Sequence, residues 1–286
     1  MILKKIKYLI SLIVSAYLFS EIGKDVYLSN EHFEMLKNKS LLLFLLMLIF
    51  IPIFYLLTIK LIYLVSHFKK INFFRSLKAT IIAYNYNLFL PAKSGDFFRY
   101  KYLDLNISFK SFFYINIVEK IISTFVLTLF VAFSFFNIKS FYIDFLHINY
   151  IYLFFMFSTL LLIALCFVNN FFNNTNFFFY KILKLLFFDF LVWLLQFLQI
   201  LTIMNILDIQ IQIYEMVFIF GTAIIAGLIP ISIGGFGVRD YVVFYLFNYM
   251  NIEADIFIVL LLFNLRYLFP VMVNFLISLN RLRNAK

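Results

Sequence analysis

Charge is what this sequence has least of. Only 13% of its 286 residues are Asp, Glu, Lys or Arg, while 65% are hydrophobic. Soluble domains carry about 25% charged residues, so composition alone excludes an ordinary water-soluble globule. There is one cysteine, Cys166, which can form no internal disulfide and says nothing about redox compartment. The three histidines, His32, His67 and His147, are far apart in sequence. No HExxH, paired-cysteine or P-loop spacing occurs, so neither a metal nor a nucleotide cofactor has support. Glycine and proline are scarce too, at seven and four, so a stretch where they gather stands out.

What is present is long apolar sequence. Leu41–Leu57 and Ile151–Val168 are each about as long as a helix needs to cross hydrocarbon. The chain reads as a polytopic all-α membrane helix bundle of about seven or eight spanning or re-entrant segments. Residues 1–286 form one integral membrane domain. Expected spans are Tyr8–Ser20, Leu41–Val65, Ser111–Phe136, Ile148–Val168, Phe179–Ile206 and Ile256–Leu279. The first follows Lys4, Lys5 and Lys7 and lacks a clean small-residue cleavage site, so an uncleaved span is favoured over a signal peptide. Lys60, near the end of the second span, is expected to snorkel towards the next loop. Ala79–Leu90 is too short to span and reads as re-entrant or interfacial.

The net charge of +10 fits basic inner loops and anionic headgroups better than nucleic acid. Lysine and arginine concentrate near the N-terminus, across Lys69–Lys110, at Lys181 and Lys184, and in the C-terminal tail. The connections Leu207–Gln212 and Asn251–Asp255 have none. The expected topology is an inner-membrane protein with both termini cytoplasmic.

The organising stretch is AGLIPISIGGFGVRDYVVFYLF, Ala226–Phe247. It holds Pro230, Gly234, Gly235 and Gly237, followed at once by Arg239 and Asp240. Proline removes a backbone donor and glycine widens the allowed dihedrals, so a membrane helix can break here. Residues 215–250 read equally as two spans joined by an inner turn or as a hairpin dipping in from outside. An earlier stretch shares the layout: Pro91, Gly95, Asp96 and Arg99 parallel Pro230, Gly234, Arg239 and Asp240. Paired Gly/Pro-interrupted segments in two halves of a chain point to an inverted repeat with a site between broken helices. Structural hinges are therefore expected at Pro91, Gly95, Pro230, Gly234, Gly235 and Gly237. Chance similarity of two short strings is the competing reading.

Charges inside apolar runs supply the site candidates. Arg266, Glu119, Lys120 and Asp189 all fall within expected spans, where a charge needs a partner or water. Asp189, Trp193, Gln196 and Gln199 form a polar stripe at helical spacing. The structural alternative is an ion pair, such as Glu119 with Arg266, that only locks helices together. Lys93, Arg99, Arg239 and Arg266 supply cations, and guanidinium groups match phosphate bidentately. Asp96, Glu119 and Asp240 supply acids suited to orienting those cations or a headgroup amine. These seven residues are the expected substrate-binding set.

Four segments, in order, resemble the lysylphosphatidylglycerol synthase transmembrane-region family, the flippase-like domain proteins. LPAKSGDFFRYKYL resembles its LPGRAGE-x-x-R element, and IVEKIISTFVLTL its E-R-x-x-D helix start. IPISIGGFGVRDYVVFYLF resembles its P-x-S-P-G-G-x-G-x-R-E element, and LLLFNLRYLFP its arginine-bearing last helix. Ala92, Lys93, Asp96, Ile233 and Asp240 depart from the pattern; Lys120 keeps only the charge of an arginine, and Ser123 replaces an acid. The resemblance implies lipid translocation or handling rather than aminoacyl transfer, since only the membrane region is represented.

The expected function is therefore translocation or handling of a phosphate-bearing phospholipid, glycolipid or polyprenyl-phosphate lipid. The alternatives are a membrane-embedded glycosyl- or headgroup-transferase and a non-catalytic membrane subunit for a separate lipid synthase. Expected partners are lipids with anionic phosphate headgroups, such a synthase or glycosyltransferase, and a second copy of the chain as a homo-oligomer.

Overall fold

The computed structural model describes residues 34, 36–66, 70–103, 108–138, 175–228, 237–267 and 269–273, with the backbone alone at 89, 91–93 and 175–181. The expected spans Tyr8–Ser20 and Ile148–Val168, and the C-terminal tail, lie outside the described residues. The described part is an all-α membrane helix bundle. In chain order its helices are α1 Ser40–Leu48, α2 Phe50–Val65, α3 Phe73–Phe89, a 3-10 segment Pro91–Phe98, α4 Arg99–Leu103, α5 Phe109–Asn137, α6 Thr175–Ile206, α7 Ile213–Ala226, α8 Val238–Tyr249 and α9 Ile256–Leu265.

Among the described residues, four helical stretches are long and apolar enough to cross a membrane: Ser40–Val65, Phe109–Asn137, Ile182–Ile206 and Ile256–Val273. The first contains the junction of α1 and α2. Pro52 lies four residues past Leu48, where α1 ends, and a proline ring clashes with the carbonyl four residues before it. Local sequence fixes other boundaries. Asn72 caps α3 by accepting from Phe74 N–H at 2.9 Å, and Ser108 caps α5 by accepting from Ser111 N–H at 3.1 Å. Asp255 caps α9 by accepting from the Phe257 and Ile258 amides.

Long-range bonds set the direction of each helix. Gln199 donates to the Leu46 carbonyl in α1 and Lys60 in α2 to Asp189, so the continuous stretch α1–α2 runs antiparallel to α6. An ion pair between Lys39 and Asp208 closes one end of that pair. Val118 and Ile122 pack with Leu185, and Phe130 lies against Phe197, so α5 runs parallel to α6. The bundle thus has a basic end, where α2 finishes and α5 starts, and an opposite end, where α6 finishes and α9 starts. Lys70, Arg75, Lys101 and Lys110 belong to the basic end by their place in the chain.

Two hairpins sit between these long helices, based at opposite ends. The first is α3, the 3-10 segment and α4. At 17 residues, α3 is about 26 Å long, short of the ~30 Å hydrocarbon core. It crosses α2 obliquely, with Phe73 against Tyr55 and Tyr84 against Phe54. Leu90 is extended, as a residue before proline prefers, and the chain turns back there. Gly95 then packs so closely on α3 that an added Cβ would lie 2.6 Å from the Asn87 amide nitrogen and 2.7 Å from the Ala83 carbonyl oxygen. Only glycine fits so near another backbone. Arg75 Nε donates to the Tyr102 carbonyl at 3.1 Å and ties the two feet of the hairpin together.

The second hairpin is α7 and α8. Their 14 and 12 residues give about 21 and 18 Å, so neither crosses alone. Gly227, just past α7, touches Arg239 at the start of α8, and Phe220 meets Phe247 further back, so the two run antiparallel. The half-length helices fit the hairpin alternative for residues 215–250. Gly237 opens α8 at φ 90°, a conformation costly for residues with a side chain. Its amide donates to Asp240 Oδ2 at 3.1 Å, so the acid caps its own helix. The larger apolar core lies on this side of the bundle, where α7, α8 and α9 pack on α5 and α6.

Candidate functional site

The two hairpins meet at one cavity of about 340 Å³. The first hairpin contributes Tyr84, Asn87, Asp96 and Arg99 to its wall; the second contributes Gly227, Leu228 and Arg239. Long helices close the sides with Lys60 from α2, Glu119, Lys120 and Ser123 from α5, and Trp193 and Gln196 from α6. Glu119 follows the first residue of α5 by ten positions, or about 15 Å at the helical rise. That is near half the thickness of a bilayer core. Irregular backbone at such depth is tolerated where it lines a polar cavity.

A connected charge network forms the wall at the first hairpin. Arg99 donates to Asp96 Oδ1 and to Glu119 Oε2, both at 2.7 Å. Lys60 Nζ lies 2.7 Å from Asp189 Oδ1 and 3.3 Å from Glu119 Oε1. Lys120 Nζ lies 3.6 Å from Asp96 Oδ2 and over the Phe97 ring. Asn87 adds a hydrogen bond to Asp96 at 3.0 Å. Arg99, Glu119 and Lys60 are buried, whereas the Lys120 side chain keeps 31% of its surface exposed. Buried charges at this depth require such pairing, because desolvation costs several kcal/mol per ion.

The wall at the second hairpin is different. Arg239 pairs with Asp240 at 3.4 Å and bonds to Asn264 Oδ1 and, at 3.4 Å, to the Tyr267 hydroxyl. Its guanidinium stacks 4.7 Å from the Phe263 ring centre and 5.3 Å from that of Tyr267. Arg266 uses the same two rings, at 4.2 and 4.8 Å, and donates to the Tyr267 hydroxyl at 2.8 Å. Its other acceptors are the Phe263 carbonyl and Gln199 Oε1. Tyr267 lines the cavity, while Arg266 stands behind it.

Of the seven residues expected to bind substrate, Asp96, Arg99, Glu119 and Arg239 reach the cavity wall. Asp240 is wholly buried as cap and ion-pair partner, and Arg266 lies in the layer behind. The Lys93 side chain, and hinges Pro230, Gly234 and Gly235, lie outside the described residues. Pro91 opens the 3-10 segment, and Gly95 and Gly237 stand at the two irregular backbones. The suggested pairing of Glu119 with Arg266 does not form; Glu119 meets Arg99 and Lys60 instead. Nor does Lys60 snorkel, since Asp189 and Glu119 hold it inside. The stripe on α6 divides: Trp193 and Gln196 face the cavity, Asp189 holds Lys60, and Gln199 bonds to Leu46 and Arg266.

Sequence reasoning missed Asn87, Tyr84 and Tyr267. The available signal was polar residues interrupting an apolar run at Tyr84–Asn87, and a tyrosine directly after a mid-span arginine. Among the described residues, no cluster of three or more histidine, cysteine or acidic side chains is arranged to hold a metal ion.

Half-length helices and charged side chains around an interior cavity define a membrane protein with broken helices. The family model for the lysylphosphatidylglycerol synthase TM region matches residues 6–273, and the chain belongs to that family. A comparison with curated proteins finds no match. Family membership gives the chain a lipid-related membrane function.

Proposed function

We propose that the protein binds the headgroup of a phosphate-bearing membrane lipid in the cavity between its two hairpins and moves it across the bilayer. The observation that carries this reading is the convergence of two hairpins of short helices, based at opposite ends of the bundle, on one charged interior cavity. A polar headgroup needs a polar path through hydrocarbon, and half-helices leave room for one. Arg239 is placed to meet phosphate oxygens, with Asp240, Asn264 and Phe263 fixing its plane. Arg99 fixes Asp96 and Glu119, which face the rest of the headgroup. The basic end faces the cytoplasm, following the lysine and arginine bias of the connections, and the membrane is the cell's inner membrane.

The test is lipid movement in proteoliposomes holding the purified chain, followed by chemical quenching of a headgroup-labelled phospholipid in the outer leaflet. The expected result is faster loss of protected fluorescence than in empty vesicles, with Arg239→Ala reducing the rate by tenfold or more, about 1.4 kcal/mol. Equal rates for protein-containing and empty vesicles, with every labelled lipid, overturn the proposal.

A further inference from the structure

Two acids flank one buried cation at the edge of the cavity. Lys60 Nζ lies 2.7 Å from Asp189 Oδ1 and 3.3 Å from Glu119 Oε1, and all three side chains are buried. The two acids are not equivalent. Both oxygens of Glu119 face cations, since its Oε2 accepts from Arg99 at 2.7 Å. Asp189 holds Lys60 through Oδ1, while its buried Oδ2 forms no hydrogen bond among the described residues. Ser123 of α5 is close to Asp189 and lines the cavity, as does Lys60 itself.

Lys60 from α2 and Glu119 from α5 are the charged groups that the described helices turn towards Asp189. Lys120 of α5 turns instead to Asp96. Of the other helices packed on α6, α1 and α9 contain no charged residue, and Glu215 of α7 caps its own helix at the end where α6 finishes. Arg266, just past α9, reaches α6 at Gln199, ten residues beyond Asp189. On α6 itself, Lys184 lies over the Tyr63 ring.

A proton on Asp189 Oδ2 turns that oxygen into a donor with Ser123 close by, and cancels the charge that holds Lys60. The ammonium, a point charge on a flexible stem, is then available to an anion in the cavity. One proton and one negative charge enter the site together, so its net charge is conserved. Each arrival favours the other, and linkage makes the two effects equal.

Resting on the lipid reading above, we propose that Asp189 is a proton-binding site coupled to the cavity. A proton taken from water onto Asp189 Oδ2 frees Lys60 to pair with the lipid phosphate, so that lipid and proton bind and move together. A proton gradient then drives the lipid in the direction in which protons run.

The full-length protein in detergent is titrated with short-chain phosphatidylglycerol, phosphatidylethanolamine and phosphatidylcholine. None of these titrates near neutral pH, so a proton taken up on binding goes to the protein. Calorimetry in buffers of different ionisation enthalpy counts those protons. The expected result is about one proton per bound lipid, with affinity about tenfold tighter for each unit fall in pH. Asp189→Asn is expected to abolish both the uptake and the pH dependence. In proteoliposomes, a pH gradient is expected to bias movement of headgroup-labelled lipid towards the less acidic side.

Saturable binding without proton uptake, or movement indifferent to the gradient, overturns the coupling and leaves the lipid reading standing. Uptake that persists in Asp189→Asn overturns the assignment to Asp189. Should that variant not fold, Ser123→Ala gives a second reading: the protonated-carboxyl band that lipid binding brings into the infrared difference spectrum is expected to shift. An unshifted band, or none, overturns the assignment equally. The absence of saturable binding by any of the three lipids overturns both the coupling and the lipid reading.

Discussion

Lys60 Nζ lies 2.7 Å from Asp189 Oδ1, joining two helices whose contact residues are 129 positions apart. Both side chains are almost fully buried, and Glu119 lies on the other side of the same ammonium at 3.3 Å. This ion pair fixes α2 to α6 at the level where the cavity opens, and it holds Glu119 in reach of Arg99.

Removing one partner of such a pair leaves an uncompensated charge. Lys60→Met is expected to destabilise the protein by about 3–5 kcal/mol, and Lys60→Met with Asp189→Leu by distinctly less. Thermal unfolding of the two variants in detergent, read as a mutant cycle, checks this. A double variant less stable than the single by the full additive cost contradicts the direct pairing.

Tyr267 offers a subtler change. Tyr267→Phe keeps both rings beneath the two guanidinium groups but removes the hydroxyl that accepts from Arg266 and Arg239. A cost of about 1.5–3 kcal/mol follows from losing hydrogen bonds to charged donors. Headgroup-labelled lipid should also move more slowly through Tyr267→Phe than through the unmodified chain.

Gly95 tests the first hairpin. Gly95→Ala places a methyl against α3 backbone atoms that have no room to yield, at 2.6 and 2.7 Å. The expected loss is about 1–3 kcal/mol, the range for overpacking, with the hairpin displaced from Asp96 and Arg99 outward. At Gly221, within α7, an added Cβ would instead meet a side chain, Val131 Cγ2, so Gly221→Ala tests side-chain crowding between α7 and α5 rather than a backbone clash in a hairpin.

Lys120 separates stability from function. Its side chain is nearly one-third exposed to the cavity and 3.6 Å from Asp96, so Lys120→Gln is expected to change stability by less than about 1 kcal/mol. It removes a positive charge from the wall at the first hairpin, however, and leaves a neutral amide donor in its place. A several-fold fall in lipid movement with an unchanged unfolding temperature is the expected outcome.

Much of this architecture was legible in the sequence because its signals are local. Apolar run length marked the four described spans, and scarce Pro and Gly marked both hairpins at Pro91–Gly95 and at Gly237. Mid-span Glu119 was flagged by the cost of burying a charge, and it does line the cavity. Partner choice was not legible. Lys60 lies near a helix end, where snorkelling is the ordinary solution, and only the fold brings Asp189 beside it. Glu119 and Arg266 carry complementary charges, but they belong to opposite walls. Tyr267 escaped notice because an aromatic residue is unremarkable in a chain with 22% aromatics.

The most direct test of the account is whether the two hairpins are based at opposite faces of the membrane. The native thiol is removed by Cys166→Ser, and single cysteines are placed at the exposed positions Lys101 and Glu253, in α4 and just after α8. A membrane-impermeant thiol reagent is then applied to intact cells and to inverted vesicles. The account predicts that Lys101→Cys and Glu253→Cys label from opposite sides, and that Lys39→Cys labels from the same side as Glu253→Cys. Labelling of Lys101→Cys and Glu253→Cys from one side would contradict opposed hairpins and, with them, a lipid path between the two faces.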